Sequence, residues 1–139
     1  MDIKKRYKGI QTTLLHCGET GCLFLALMSI VEEFLKKPCD LINCINVLRE
    51  TNCIEDNFYV NDSLMMLSLL TGKRWHRRES ISLPDVIKEN EFTIEKWYNP
   101  RTNFTHFRRR GFDSLANSIT VREGKLQEYY IYWYDQEAA

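Results

Sequence analysis

Between Leu23 and Val31 every position except Ser29 is apolar, and no charge interrupts the chain until Glu32. A helix that is apolar all round cannot lie on a surface; it must sit inside a fold with other elements on several sides. The run is far short of the roughly 20 residues that a bilayer span requires. It therefore predicts a buried central helix from about Gly21 or Cys22 to Lys36, stopped by Pro38. Gly9 to Gly21 reads as the loop leading into it, with Thr20 as a cap.

Around this helix the chain divides into two halves of different character. Asp40 should cap a second, amphipathic helix whose apolar positions are Leu41, Ile42, Ile45, Val47 and Leu48. Asp62 should cap a third, Ser63 to Leu70, ended by Gly72 in the left-handed conformation. Ser82-Leu83-Pro84-Asp85 is expected to open a short helix reaching about Glu89. Strand formers with alternating polarity then dominate at Phe92 to Trp97, Phe104 to Arg108, Ser118 to Arg122 and Tyr129 to Tyr134, with Gly111 and Gly124 placed for hairpin turns. The aromatic segment Tyr129 to Tyr134 reads as a central strand covered on both faces. Helices followed by antiparallel strands give an α+β fold, and without an internal repeat or linker the 139 residues read as a single domain.

Lys plus Arg and Asp plus Glu each number 19, so the overall charge draws the chain to neither nucleic acid nor an anionic membrane. Locally, Lys73-Arg74-Trp75-His76-Arg77-Arg78 with Arg101 and Arg108 to Arg110 can form a patch for phosphate backbones or anionic glycans, although such runs are more often a solvated face. His76 lies among these cations with no evident carboxylate to orient it, and is a poor candidate for a base. Five cysteines are an odd count without an export-signal pattern, which predicts reduced thiols and a cytoplasmic chain that acts outside only after release. Cys17 and Cys22, like Cys39 and Cys44, are spaced as zinc ligands can be, but no glycine-rich knuckle accompanies them and the simpler reading has no metal.

One set of residues carries chemistry. Cys22 stands where a turn becomes the central helix, and the unpaired N–H groups and dipole of a helix start favour a thiolate. Cysteine catalysis also needs a base and a group to hold its ring. His106, in Phe104-Thr105-His106-Phe107, and Asp113, in Gly111-Phe112-Asp113-Ser114, lie in or beside successive predicted strands and can meet across a sheet. Asn117 competes with Asp113 to orient the ring.

The order and spacing of Gly21-Cys22, His106-Phe107 and Asp113 resembles the papain-like cysteine peptidases, specifically the small bacterial branch that includes the bacteriocin-processing peptidases and their stand-alone relatives. The likeness runs from about Gln11 to Trp133. It implies helices first, a central helix headed by Cys22, and a C-terminal antiparallel sheet against which that helix packs. It further implies a hydrolase of peptide or amide bonds that uses a Cys22–His106–Asp113 triad, needs no metal or organic cofactor, and takes a peptide or protein as substrate. Two departures stand out. Relatives usually carry a glutamine several residues before the cysteine to bind the oxyanion; here His16 holds that place. They also continue the histidine strand with apolar residues, where this chain has Arg108-Arg109-Arg110, a candidate binding surface for an acidic ligand. The alternative is a catalytically inactive papain-like fold that binds a nucleic acid, nucleotide or protein, such as a phage or mobile-element accessory factor. Neither reading involves a membrane, and neither fixes an oligomeric state.

Overall fold

A computed structural model describes residues 21–109 and 123–136. Among the described residues three helices, α1 (Gly21–Leu35), α2 (Leu41–Glu50) and α3 (Ser63–Thr71), precede four strands, β1 (Trp75–Ser80), β2 (Glu91–Asn99), β3 (Phe104–Arg109) and β4 (Lys125–Tyr134). The strands form one antiparallel sheet in the order β1-β4-β2-β3. The fold is α+β, as expected. Thr20, Gly111 and the expected strand Ser118 to Arg122 lie outside the described residues.

Helix α1 occupies the centre, with Phe24, Ala26, Leu27, Ile30 and Val31 fully buried. Ser29 is tolerated in this apolar run because its hydroxyl donates to the Ala26 carbonyl at 2.6 Å. The caps form where the sequence puts them: Asp40 Oδ1 accepts from the Asn43 N–H at 3.3 Å, and Asp62 Oδ1 from the Met65 N–H at 3.0 Å. Helix α2 is less buried than its pattern predicts. Leu48 is enclosed, whereas Ile42 is 73% exposed and Val47 is also exposed.

Gly72 ends α3 at φ 73°, with its N–H donating to the Ser68 carbonyl at 2.9 Å. A Cβ there meets nothing within 4 Å, so Gly72→Ala isolates the backbone cost of the left-handed region. Urea denaturation should show a loss of about 1 kcal/mol.

One expectation is corrected, and one stretch left without an element gains one. Residues 81–90 contain no helix; Ile81, Val86 and Ile87 are exposed, so a single turn there would bury no apolar face to support it. The basic run after Lys73 enters a strand, β1, at Trp75. It pairs with β4 from Trp75↔Tyr134 to Ser80↔Tyr129, which places β4 in the sheet interior, as its aromatic sequence predicts.

Side chains alternate across the sheet. One face carries Trp75, Ile94, Tyr130 and Tyr132, which join the helices in a single core, with Phe92, Phe107 and Tyr134 packed against it. Cross-layer hydrogen bonds fix the helices to this face: Tyr132 Oη to Ser63 Oγ at 3.1 Å, and Trp75 Nε1 to Thr71 Oγ1 at 2.7 Å. The opposite face carries His76, Arg78, Thr93, Glu95, Trp97, His106, Arg108, Ile131 and Trp133.

Candidate functional site

Cys22 lies in the first turn of α1, buried at 5% exposure. Its Sγ accepts the Phe107 N–H at 3.4 Å, a contact between residues 85 apart in sequence. Strand β3 bonds to β2 on one side and is outermost among the described residues, so the thiol sits against its outer side. The fold thus brings Cys22 to the residue that follows His106, and the amide it touches is bonded to the His106 carbonyl carbon.

The imidazole itself is placed differently. His106 is opposite Trp97 in the β2–β3 register, on the face away from the helices, while Phe107 and Arg109 point to the helix side. Only 2% of His106 is exposed, and among the described residues its Nε2 has no hydrogen-bond partner. Burial, reinforced by the Arg108 cation on the same face, lowers its pKa from 6.5 to about 4, so the ring is neutral at neutral pH. No hydrogen bond joins it to Cys22.

Arg108 and Arg109 are engaged with the fold. Arg108 Nε donates to Glu95 Oε1 at 2.6 Å, and its guanidinium lies 5.1 Å from the Trp97 ring centroid. Arg109 is buried between α1 and the sheet, where it bonds the Ser29 carbonyl at 3.2 Å, pairs with Glu33, and covers the Phe92 ring at 5.1 Å. Arg109 is a clamp between β3 and α1 rather than part of a solvated patch, which explains how a strand face can carry arginine where an apolar residue would be expected. His16, Arg110, Asp113 and Asn117 lie outside the described residues.

A cleft of about 420 Å³ adjoins the Cys22 contact. Its floor is the helix-side face of the sheet, through Arg77, Thr105, Phe107 and Tyr130; Leu23 of α1 and Tyr59, Val60 and Asn61 form the remaining wall. Leu23 and Phe107, the chain neighbour and the hydrogen-bond partner of Cys22, both line it. A second depression of about 530 Å³, around Arg49, Asn52 and Asp56, is more polar and more open, and shares Asn61 with this cleft.

Arg77 and Tyr130 are the cleft residues least visible in the sequence. Arg77 belongs to the basic run but, by strand alternation, faces the helix side, and its guanidinium is 5.0 Å from the Tyr130 ring centroid. His76, one residue earlier, faces the other way. It stacks on Trp133 at 5.4 Å, and its Nε2 is 2.7 Å from Asp135 Oδ1, so it does have an orienting carboxylate, from the residue just past β4. Among the described residues no three His, Cys, Asp or Glu side chains are grouped to hold a metal, and no helix is long and apolar enough to cross a membrane. No protein-family model, curated protein or solved structure matches the chain.

Proposed function

We propose that this chain is a papain-like cysteine hydrolase acting on a peptide or amide bond in the cleft beside Cys22. The observation that carries the reading is the 3.4 Å contact between Cys22 Sγ and the Phe107 N–H, which sets the thiol of a helix start against the strand holding His106. Since the thiol meets β3 at its outer side, reorientation of the His106 side chain about that side, with no change of strand register, is the movement that would pair them. The imidazole, neutral at rest, would take the thiol proton as the sulfur attacks the carbonyl carbon. The C–N bond then breaks, the proton goes to the departing amine, and water cleaves the thioester to a carboxylate and the restored thiol. Asp113 would hold the ring, with Asn117 as the alternative; His16 and the Cys22 backbone N–H would bind the oxyanion. No metal or organic cofactor enters this sequence.

A second reading, a domain of the same architecture that binds without catalysis, is favoured by the burial of His106 on the opposite face. Reaction with iodoacetamide across pH, with each alkylated cysteine located by mass spectrometry, separates the two. The hydrolase reading expects Cys22 to react at neutral pH at least about tenfold faster than an ordinary thiol of pKa about 8.5, and His106→Ala to remove that advantage. If Cys22 reacts no faster than Cys39 or Cys44, and His106→Ala changes nothing, the binding reading replaces it.

A further inference from the structure

Arg77 projects into the cleft with one loose ion pair among the described residues: Glu79 Oε1, on a half-exposed side chain, lies 3.7 Å from its Nη2, beyond hydrogen-bond distance and open to exchange for an incoming carboxylate. Its other close neighbours are aromatic, the Tyr130 ring beneath it and the Tyr132 hydroxyl beside it. The second cation over Tyr130, Lys96 at 5.8 Å, is paired with Glu128 at 3.4 Å and does not line the cleft. Among the described residues Arg77 is therefore the cation that lines the cleft. A planar guanidinium supplies two parallel N–H donors matched to a carboxylate. The first turn of α1 borders the same space through Leu23, and the dipole of that helix adds to the preference for negative charge.

The rest of the lining suits a short peptide. Leu23, Val60 and Phe107 form an apolar wall, while Asn61 and Thr105 supply amide and hydroxyl groups able to bond peptide N–H and C=O. The volume lies in the range of clefts that enclose most of a small ligand. We infer that this cleft binds a peptide through a carboxylate seated on Arg77, with an apolar neighbouring residue against Leu23, Val60 and Phe107. The inference rests on the reading of this cleft as the ligand site beside Cys22, and it names the substrate class that site accepts.

The test is calorimetric titration of the full chain carrying Cys22→Ala, so that no probe is turned over. The probes are N-acetyl-Leu-Glu-amide, N-acetyl-Leu-Ala with a free terminal carboxylate, and the neutral isostere N-acetyl-Leu-Gln-amide. One or both acidic peptides should bind about ten- to a hundredfold more tightly than the neutral one, and Arg77→Met should abolish the difference. The two acidic arms tell a side-chain carboxylate from a terminal one. Equal affinity for all three peptides, no saturation by any acidic peptide at millimolar concentration, or a preference that survives Arg77→Met overturns the inference. The comparison among peptides needs no substitution at Arg77, so it stands even if that variant folds poorly. An Arg77-dependent preference alongside an unreactive Cys22 upholds the carboxylate site and removes only the hydrolase reading. A reactive Cys22 with no such preference does the reverse.

Discussion

Replacing Phe24 with alanine is expected to lower the free energy of unfolding by about 3–5 kcal/mol, the usual range for a fully enclosed phenylalanine. The ring has no exposed surface, and it packs on Phe58 with centroids 5.2 Å apart. Phe58 matters because its backbone lies at φ 69°, a region that a bulky residue occupies only when its surroundings hold it there. Phe24 on one side and the Arg49 guanidinium, 5.1 Å from the ring centroid, supply that hold. The next residues, Tyr59 to Asn61, form a wall of the cleft. The substitution should therefore act twice: a melting temperature lower by on the order of 10 °C, and faster amide exchange at Asn61, whose N–H now donates to the Cys53 carbonyl at 2.8 Å. A melting point unchanged within a few degrees would show that α1 is not the centre of the core.

The second large effect is acid sensitivity carried by His106. In the unfolded chain its pKa is near 6.5, and in the fold it is about 4, because burial and the Arg108 charge oppose protonation. Between these values the unfolded state binds the extra proton, so stability falls as pH falls. The full contribution is present above pH 6.5 and is lost progressively down to about pH 4. The loss amounts to about 3 kcal/mol over that window. Carboxylates titrate in the lower part of the same window, so the measurement is a difference: urea unfolding from pH 7.5 to 4 for the parent and for His106→Gln. The variant should lose about 3 kcal/mol less than the parent over this range, whatever its stability at pH 7. Parallel curves for the two proteins would mean that His106 accepts a proton in the fold as readily as in the unfolded chain.

The helices were legible because each carries its own punctuation: Asp40 and Asp62 at the starts, Gly72 at an end, and an unbroken apolar run in α1. Strand β4 was legible from its aromatics. Strand β1 was not, since His76-Arg77-Arg78-Glu79-Ser80 has no apolar alternation; it is held by pairing with β4 and by Arg77 and Arg78 lying over Tyr130 and Trp133. The approach of Cys22 to the histidine strand followed from motif order, whereas the face on which His106 lies did not. A shift of one residue turns every side chain over, and the sequence Phe104-Thr105-His106-Phe107-Arg108-Arg109 offers a comparable pattern either way. What decides it is Arg109, which buries its charge against Ser29 and Glu33 and thereby fixes Phe107 on the helix side. Arg77 was read only as one member of the basic run Lys73 to Arg78, for a related reason: within such a run, nothing local distinguishes the cation that faces inward.

The strand order β1-β4-β2-β3 has a consequence for how the chain is made. Among the described residues β1 pairs with β4 alone, and β4 also completes one side of β2. The β2–β3 hairpin can close early, but the sheet surface that covers α1 is incomplete until Tyr134 has been added. At about 5–20 residues per second, the ribosome takes roughly 3–12 s to pass from Trp75 to Tyr134. Throughout that interval the nascent chain carries the apolar surface of α1 without the β4 aromatics Tyr130, Tyr132 and Tyr134, so α1 is synthesised early and its enclosure is completed last.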